Sequence, residues 1–82
     1  MKNKQVISSF DLLLIANQLI QDHQDYIKGM RAESVEEKDE VLIFKGEYFL
    51  DESGLPTEKT TAAFNMFKYL AHQLSKEFSL EK

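Results

Sequence analysis

Two histidines, His23 and His72, are the imidazoles here that could bind a metal or move a proton. No cysteine accompanies them, and no carboxylates stand around them at the spacing of a metal site. A shared metal would need both to converge, whereas the helical periodicity sends His72 toward solvent and His23 toward the core. His23 suits a neutral, hydrogen-bonded core histidine, with a backbone carbonyl or a tyrosine hydroxyl as partner. A ligand contact or a pH-sensitive interface contact is the other reading. Asp51 and Glu52 could pair for acid–base work, but a turn in so small a domain provides no pocket, so Asp51 is read as a turn carboxylate. Ser53 has no neighbouring base, and three scattered glycines make no phosphate loop. No catalytic residue, metal or cofactor is expected.

The strongest candidate surface is the stripe Asn65, Tyr69, His72 and Lys76, flanked by Lys68. At helical spacing these residues can form an amphipathic recognition face, and the plainer alternative is an ordinary solvated one. The run Glu33, Glu36, Glu37, Asp39 and Glu40 surrounds Lys38. It reads as a charged hairpin turn, since the calcium-loop pattern is absent. An acidic inhibitor of a basic protein is the weaker reading of that run.

Two helices must position these residues. Ser8-x-x-Asp11 fits a capping box, predicting a first helix from Ser8 or Ser9 to about Lys28, closed by Gly29. Its apolar arc holds Ile15, Tyr26, Leu19, Leu12, His23, Ala16, Ile27, Ile20 and Leu13, and Leu14 falls on the polar side. Thr57 caps a second helix predicted over Glu58–Phe78, with Pro56 just outside it. Its arc contains Met66, Leu70, Ala63, Leu74, Phe67, Phe78, Ala71 and Phe64.

Between the helices, Met30 to Glu36 is a weakly patterned strand and Val41–Phe44 a strong one. If the chain stays extended to Leu50, then Leu42, Phe44, Gly46, Tyr48 and Leu50 share one face, and Val41, Ile43, Lys45, Glu47 and Phe49 the other. Gly46 could instead mark a bulge or turn that splits the run. Two helices cover one sheet face, which leaves Val41, Ile43 and Phe49 as a candidate interface strand. Asp51 to Gly54 is a turn, with Gly54 at positive φ.

The chain has 82 residues, one domain's worth, with residues 1–7 and 79–82 expected to be frayed. A net charge of −4 argues against non-specific nucleic-acid binding and against docking on an anionic membrane. The apolar burst Leu12–Ile15 is far too short to span a bilayer, and no signal peptide is visible, so a cytoplasmic protein is expected.

Gly46-x-Tyr48-Phe49-Leu50-Asp51-x-x-Gly54-Leu55-Pro56-Thr57, followed by Thr61-Ala62-x-Phe64-Asn65-Met66-Phe67-Lys68-x-Leu70-Ala71-His72, closely resembles the YciN family of small gammaproteobacterial proteins of unknown function. The resemblance extends upstream to His23 and to Val41-Leu42-x-Phe44, and covers nearly the whole chain. It implies a small two-layer α/β fold and brings no catalytic residue. Asp39-Glu40 stands where some relatives carry a tighter, glycine-containing turn.

The fold expected is therefore α+β, a two-layer α/β sandwich. Its order is helix, small antiparallel sheet of two or three strands, helix, with both helices on one sheet face. The expected core joins Leu12, Ala16, Leu19, Ile20 and Ile27 to Leu42, Phe44, Ala63, Phe67, Leu70 and Leu74. The expected function is a non-enzymatic module that binds a protein partner or a second copy of itself. A small-molecule binder or accessory enzyme using His23 or the Asn65–Tyr69–His72 face is the alternative.

Overall fold

Local chemistry starts both helices. The Ser8 hydroxyl accepts the Asp11 N–H at 3.1 Å, and the first helix follows from Ser9. Thr57 accepts the Thr60 N–H, and the Thr60 hydroxyl accepts the Thr57 N–H at 2.9 Å, a capping box closed by a threonine. The computed structural model describes residues 4–81. Its elements run β1 (Gln5–Ile7), α1 (Ser9–Asp22), β2 (Ala32–Lys38), β3 (Val41–Gly46), α2 (Glu58–Ser75) and β4 (Phe78–Leu80).

The architecture is mixed α+β, with two two-stranded sheets instead of one small sheet. β2 and β3 form an antiparallel hairpin, and β1 pairs with β4 in parallel. α1 packs on β2 and α2 on β3. Val35 and Glu37, the partners of Phe44 and Leu42, share their inner face. The outer face carries Val41, Ile43 and Lys45. Leu12, Ile20, Leu42 and Leu70 are fully buried. Each such side chain contributes about 1.5–3 kcal/mol of transfer free energy. Met30, Ala32 and Met66 join the core, while Leu19 and Ile27 pack only half-buried against it.

Several sequence expectations are corrected. α1 stops at Asp22, not near Lys28. Asp22 and Asp25 place carboxylates where the helix dipole is negative, and no cation sits in the last turn. His23 is therefore the C-terminal cap, in extended conformation, and its Nδ1 accepts the Asp25 N–H at 3.0 Å. It does not lie on a core arc. Gly29, at φ +92°, serves a turn closed by Met30 N–H to Ile27 C=O at 2.9 Å.

α2 ends at Ser75, so Phe78 leaves the helical arc and enters β4. Phe64 is 52% exposed, not core. The terminal segments read as frayed contain β1 and β4; residues 1–3 and 82 lie outside the described residues.

The hairpin turns in two residues, Asp39 and Glu40, both at positive φ. β3 ends at Gly46, and the bulge lies opposite, between Ala32 and Ser34. An added Cβ at Gly46 would overlap the Arg31 carbonyl oxygen and stand 3.0 Å from Phe67 Cζ. Phe49 consequently lies outside the strand, with its backbone at φ 54°. Thr57 Oγ1 and Thr60 Oγ1 both donate to its carbonyl, at 2.8 and 3.3 Å. Its half-buried ring would lie 3.6 Å from a Cβ at Gly29, so Phe49 packs inward rather than extending the Val41–Ile43 face.

Candidate functional site

Two surfaces emerge, and they divide the residues of the predicted stripe. The first is a cleft of about 430 Å³ between the end of α1 and the first half of α2. Ending α1 at Asp22 turns His23 toward α2, where its ring meets the Tyr69 ring edge-on at 4.7 Å. Asn65 lies one helical turn before Tyr69, on the same wall. Ile27, Ala62 and Met66 add apolar surface and Asp25 a carboxylate.

The bond from the Asp25 N–H occupies His23 Nδ1 as an acceptor, so the neutral ring carries its proton on Nε2. Among the described residues, the Asn65 amide and the Tyr69 hydroxyl have no hydrogen-bond partner within the protein. The cleft thus offers donors and acceptors against an apolar wall. Sequence reasoning missed Asp25 and Ile27 as cleft residues because it kept them on a continuous helix. The legible signal was the pair of aspartates at that helix's end.

His72 and Lys68 do not join this cleft. Lys68 borders an apolar groove of about 330 Å³ that runs along the outer edge of β3. His72 borders its continuation beside Ser75 and Lys76, and the two stretches share Val41 and Ala71. Tyr48 and Phe64 stack at 4.9 Å in the groove, and Tyr48 meets buried Phe67 edge-on at 5.4 Å. Phe64 is thus an exposed aromatic on a groove wall. Val41 and Ile43 border the groove, whereas Phe49 does not.

The backbone of β3 defines the groove's edge. In a two-residue hairpin the residues flanking the turn form a hydrogen-bonded pair. Lys38 and Val41 hold that position, so Glu36–Ile43 bond next, and the N–H and C=O of Leu42 and Phe44 point away from β2. Ser75 Oγ accepts the Leu42 N–H at 2.9 Å. Phe44 makes no backbone bond outside the hairpin among the described residues, and both it and Leu42 are buried, at 3% and 0% exposure. The opposite edge of the hairpin is closed at Ala32. There Asn17 Oδ1 accepts the N–H at 2.7 Å and Nδ2 donates to the C=O at 3.0 Å.

The remaining candidates are structural. Asp51 Oδ1 accepts the N–H groups of Ser53 and Leu55, each at 2.9 Å, and so holds the turn in which Gly54 sits at φ +78°. The acidic run is partly consumed internally. Glu37 takes the Ser79 hydroxyl and the Leu80 N–H at 3.0 and 3.1 Å, tying the hairpin to β4. Glu33 pairs with Arg31 at 2.9 Å, and Glu36 with Lys45 at 3.7 Å. No group of three potential metal ligands forms among the described residues. No described helix is long and apolar enough to cross a membrane.

Fold and surfaces define a small mixed α+β domain with a polar cleft and an apolar groove on either side of α2. A family model described as a protein of unknown function (DUF2498) matches residues 3–81, and the chain belongs to that family. It is 51% identical to Protein YciN of Escherichia coli strain K12, over 96% of this chain and 95% of that protein. The same identity and coverage hold for Protein YciN of strain O157:H7.

Proposed function

We propose that the protein is a non-enzymatic, cytoplasmic protein-interaction module that takes a protein partner along the β3–α2 groove. The observation that supports this is the exposed Phe64, stacked on Tyr48 in an apolar groove between β3 and α2. Both hairpin edges are themselves covered, one by Asn17 at Ala32 and the other by Ser75 at Leu42, so the groove offers side chains rather than backbone. Self-association through the same groove is a second form of the reading, and a dimer in sedimentation would support it. Phe64→Glu tests the surface, because Phe64 is 52% exposed and its replacement leaves the core intact. The variant should melt within about 3 °C of the parent, as surface substitutions do. It should also lose the partner that the parent chain captures or, in the self-associating form, its dimer. Unchanged capture and an unchanged dimer would refute the assignment.

The His23–Asn65–Tyr69 cleft supports a second reading, small-molecule binding, through its unpartnered polar groups beside an apolar wall. A metabolite that raises the melting temperature of the parent but not of Tyr69→Ala would favour it.

A further inference from the structure

With the strand backbone buried, an occupant of the β3–α2 groove meets side chains alone. On α2, Phe64, Lys68, Ala71 and Ser75 recur at i, i+4, i+7 and i+11, so they form one stripe along the groove side of the helix. At 1.5 Å per residue that stripe is about 16 Å long, three turns of helix. Phe64 stands proud at one end, while the small, half-buried Ala71 and Ser75 leave a shallow trough toward the other. The facing wall runs the opposite way, from Val41 and Leu42 beside Ser75 to Tyr48 beside Phe64. Charge is distributed around this trough with one sign only. The chain carries ten Lys and Arg against fourteen Asp and Glu, yet no carboxylate lines the groove or its continuation. Lys45 stands on the β3 side, and Lys68 and Lys76 on the α2 side. Among the described residues, Lys68 and Lys76 have no carboxylate within ion-pairing distance. Lys45 makes only a 3.7 Å contact with Glu36, both ends more than half exposed.

We propose that the groove binds an amphipathic helix of another protein, one whose apolar stripe is flanked by carboxylates. This deepens the interaction-module reading and rests on it. A helix sends residues i, i+3 or i+4, and i+7 to one side and carries further residues on both flanks of that stripe. The partner's stripe packs on Phe64 and Tyr48 and lowers its larger side chains over Ala71 and Ser75, ridge into groove. Its flanks then meet Lys45 on one rim and Lys68 and Lys76 on the other. Lys68 and Lys76 are eight residues apart on α2, so carboxylates two turns apart on a single flank reach both. Burial of the stripe supplies affinity, and the lysines select the partner by charge. An extended segment sends its side chains in two opposite directions, so it cannot offer an apolar face and two acidic flanks to this side at once. A basic helix meets like charge on both rims.

The test is selection of a random hexadecapeptide phage library on the full chain, followed by titration of synthetic versions of the selected peptides. Apolar residues at helical spacing with Asp or Glu on both flanks are expected, with binding that weakens as salt rises. Amide resonances of Tyr48, Phe64 and Ala71 should shift on binding, and a proline at the centre of the peptide should weaken it by more than about tenfold. Affinity should fall about tenfold in a Lys68→Glu/Lys76→Glu variant, the scale of reversing two partly exposed ion pairs. A peptide with Lys in place of the carboxylates on that flank should recover the loss. Peptides with neutral or basic flanks, binding that tolerates the proline, and binding that ignores the charge reversal each overturn the proposal. An empty selection, or a dimer that covers Phe64 and excludes peptide, also overturns it. If selected peptides that are not acidic helices still lose binding in Phe64→Glu, the groove remains the docking surface and only the acidic helix falls. If they are indifferent to Phe64→Glu as well, both readings fall.

Discussion

Gly46→Ala should be among the most destabilising single-methyl changes available to this chain. The added Cβ would overlap the Arg31 carbonyl oxygen and press on Phe67 Cζ at 3.0 Å. Neither neighbour gives way cheaply. The carbonyl belongs to backbone that also receives the Glu47 N–H at 3.4 Å, and Phe67 is 5% exposed. Relief requires the hairpin's open end to separate from the segment before β2. Overpacking of this kind costs about 1–3 kcal/mol, and loss of the Glu47–Arg31 bond adds about 1 kcal/mol. A total near 3 kcal/mol is a large share of the roughly 4–12 kcal/mol that holds a domain of this size. At about 4–8 °C per kcal/mol, the melting temperature should fall by at least about 12 °C. Gly54→Ala is the control: it meets nothing within 4 Å, and its φ of +78° leaves only backbone strain, about 1–2 kcal/mol. Thermal melts followed by far-ultraviolet circular dichroism measure both. A Gly46→Ala protein that melts within about 4 °C of the parent, or above Gly54→Ala, would refute the steric argument.

Asn17→Ala removes the side chain that pairs with both backbone groups of Ala32, which is 4% exposed. Urea denaturation should show a loss of about 2–3 kcal/mol, and reopening that edge should make the variant aggregate faster at equal concentration. Thr60→Val keeps the volume of a side chain that is 1% exposed but deletes its bonds to Thr57 N–H and the Phe49 carbonyl. The expected cost is smaller, about 1 kcal/mol, because Thr57 Oγ1 still holds that carbonyl. Amide exchange should quicken around Phe49 and the first turn of α2 before it changes elsewhere.

What could be read from the sequence was what local chemistry decides. Ser8 and Thr57 each satisfy a helix N-terminus from within four residues, and Gly54 meets a turn's need for positive φ. Leu42 and Phe44 were assigned to the core from alternation alone, and both are buried. The failures share a dependence on distant contacts. β1 and β4 are three residues each, too short for a period-two signal, and each exists because the other is there. The end of α1 was a contest between an apolar repeat continuing through Tyr26 and Ile27 and carboxylates opposing the helix dipole, and the dipole prevailed. That error hid the cleft, because His23 meets Tyr69 only once the helix has stopped. Asn65, Lys68, Tyr69 and His72, predicted to lie outside the apolar arc of the second helix, are exposed. Their division between two surfaces depends on where α1 and β3 lie against α2, which spacing along one helix does not encode.

The parallel β1–β4 pairing has a consequence for the order in which the chain folds. Gln5 and Phe78 are register partners, the strand pairing most distant in sequence among the described residues. The β2–β3 hairpin closes over two residues, and α2 needs only its own turns, so both can form early. Joining β1 to β4 must wait until nearly the whole chain is available, and the loop-closure entropy falls on that last step. Glu37, bonded to Ser79 and Leu80, gives the arriving β4 a prepared landing point on the hairpin. Because β1 and β4 run parallel, a chain that joined β4 to β1 and opened instead at the exposed Asp51–Gly54 turn would need a crossover linker of about a dozen residues or more. Such a rearranged chain would keep the same strand partners while exchanging its slowest closure for a local one.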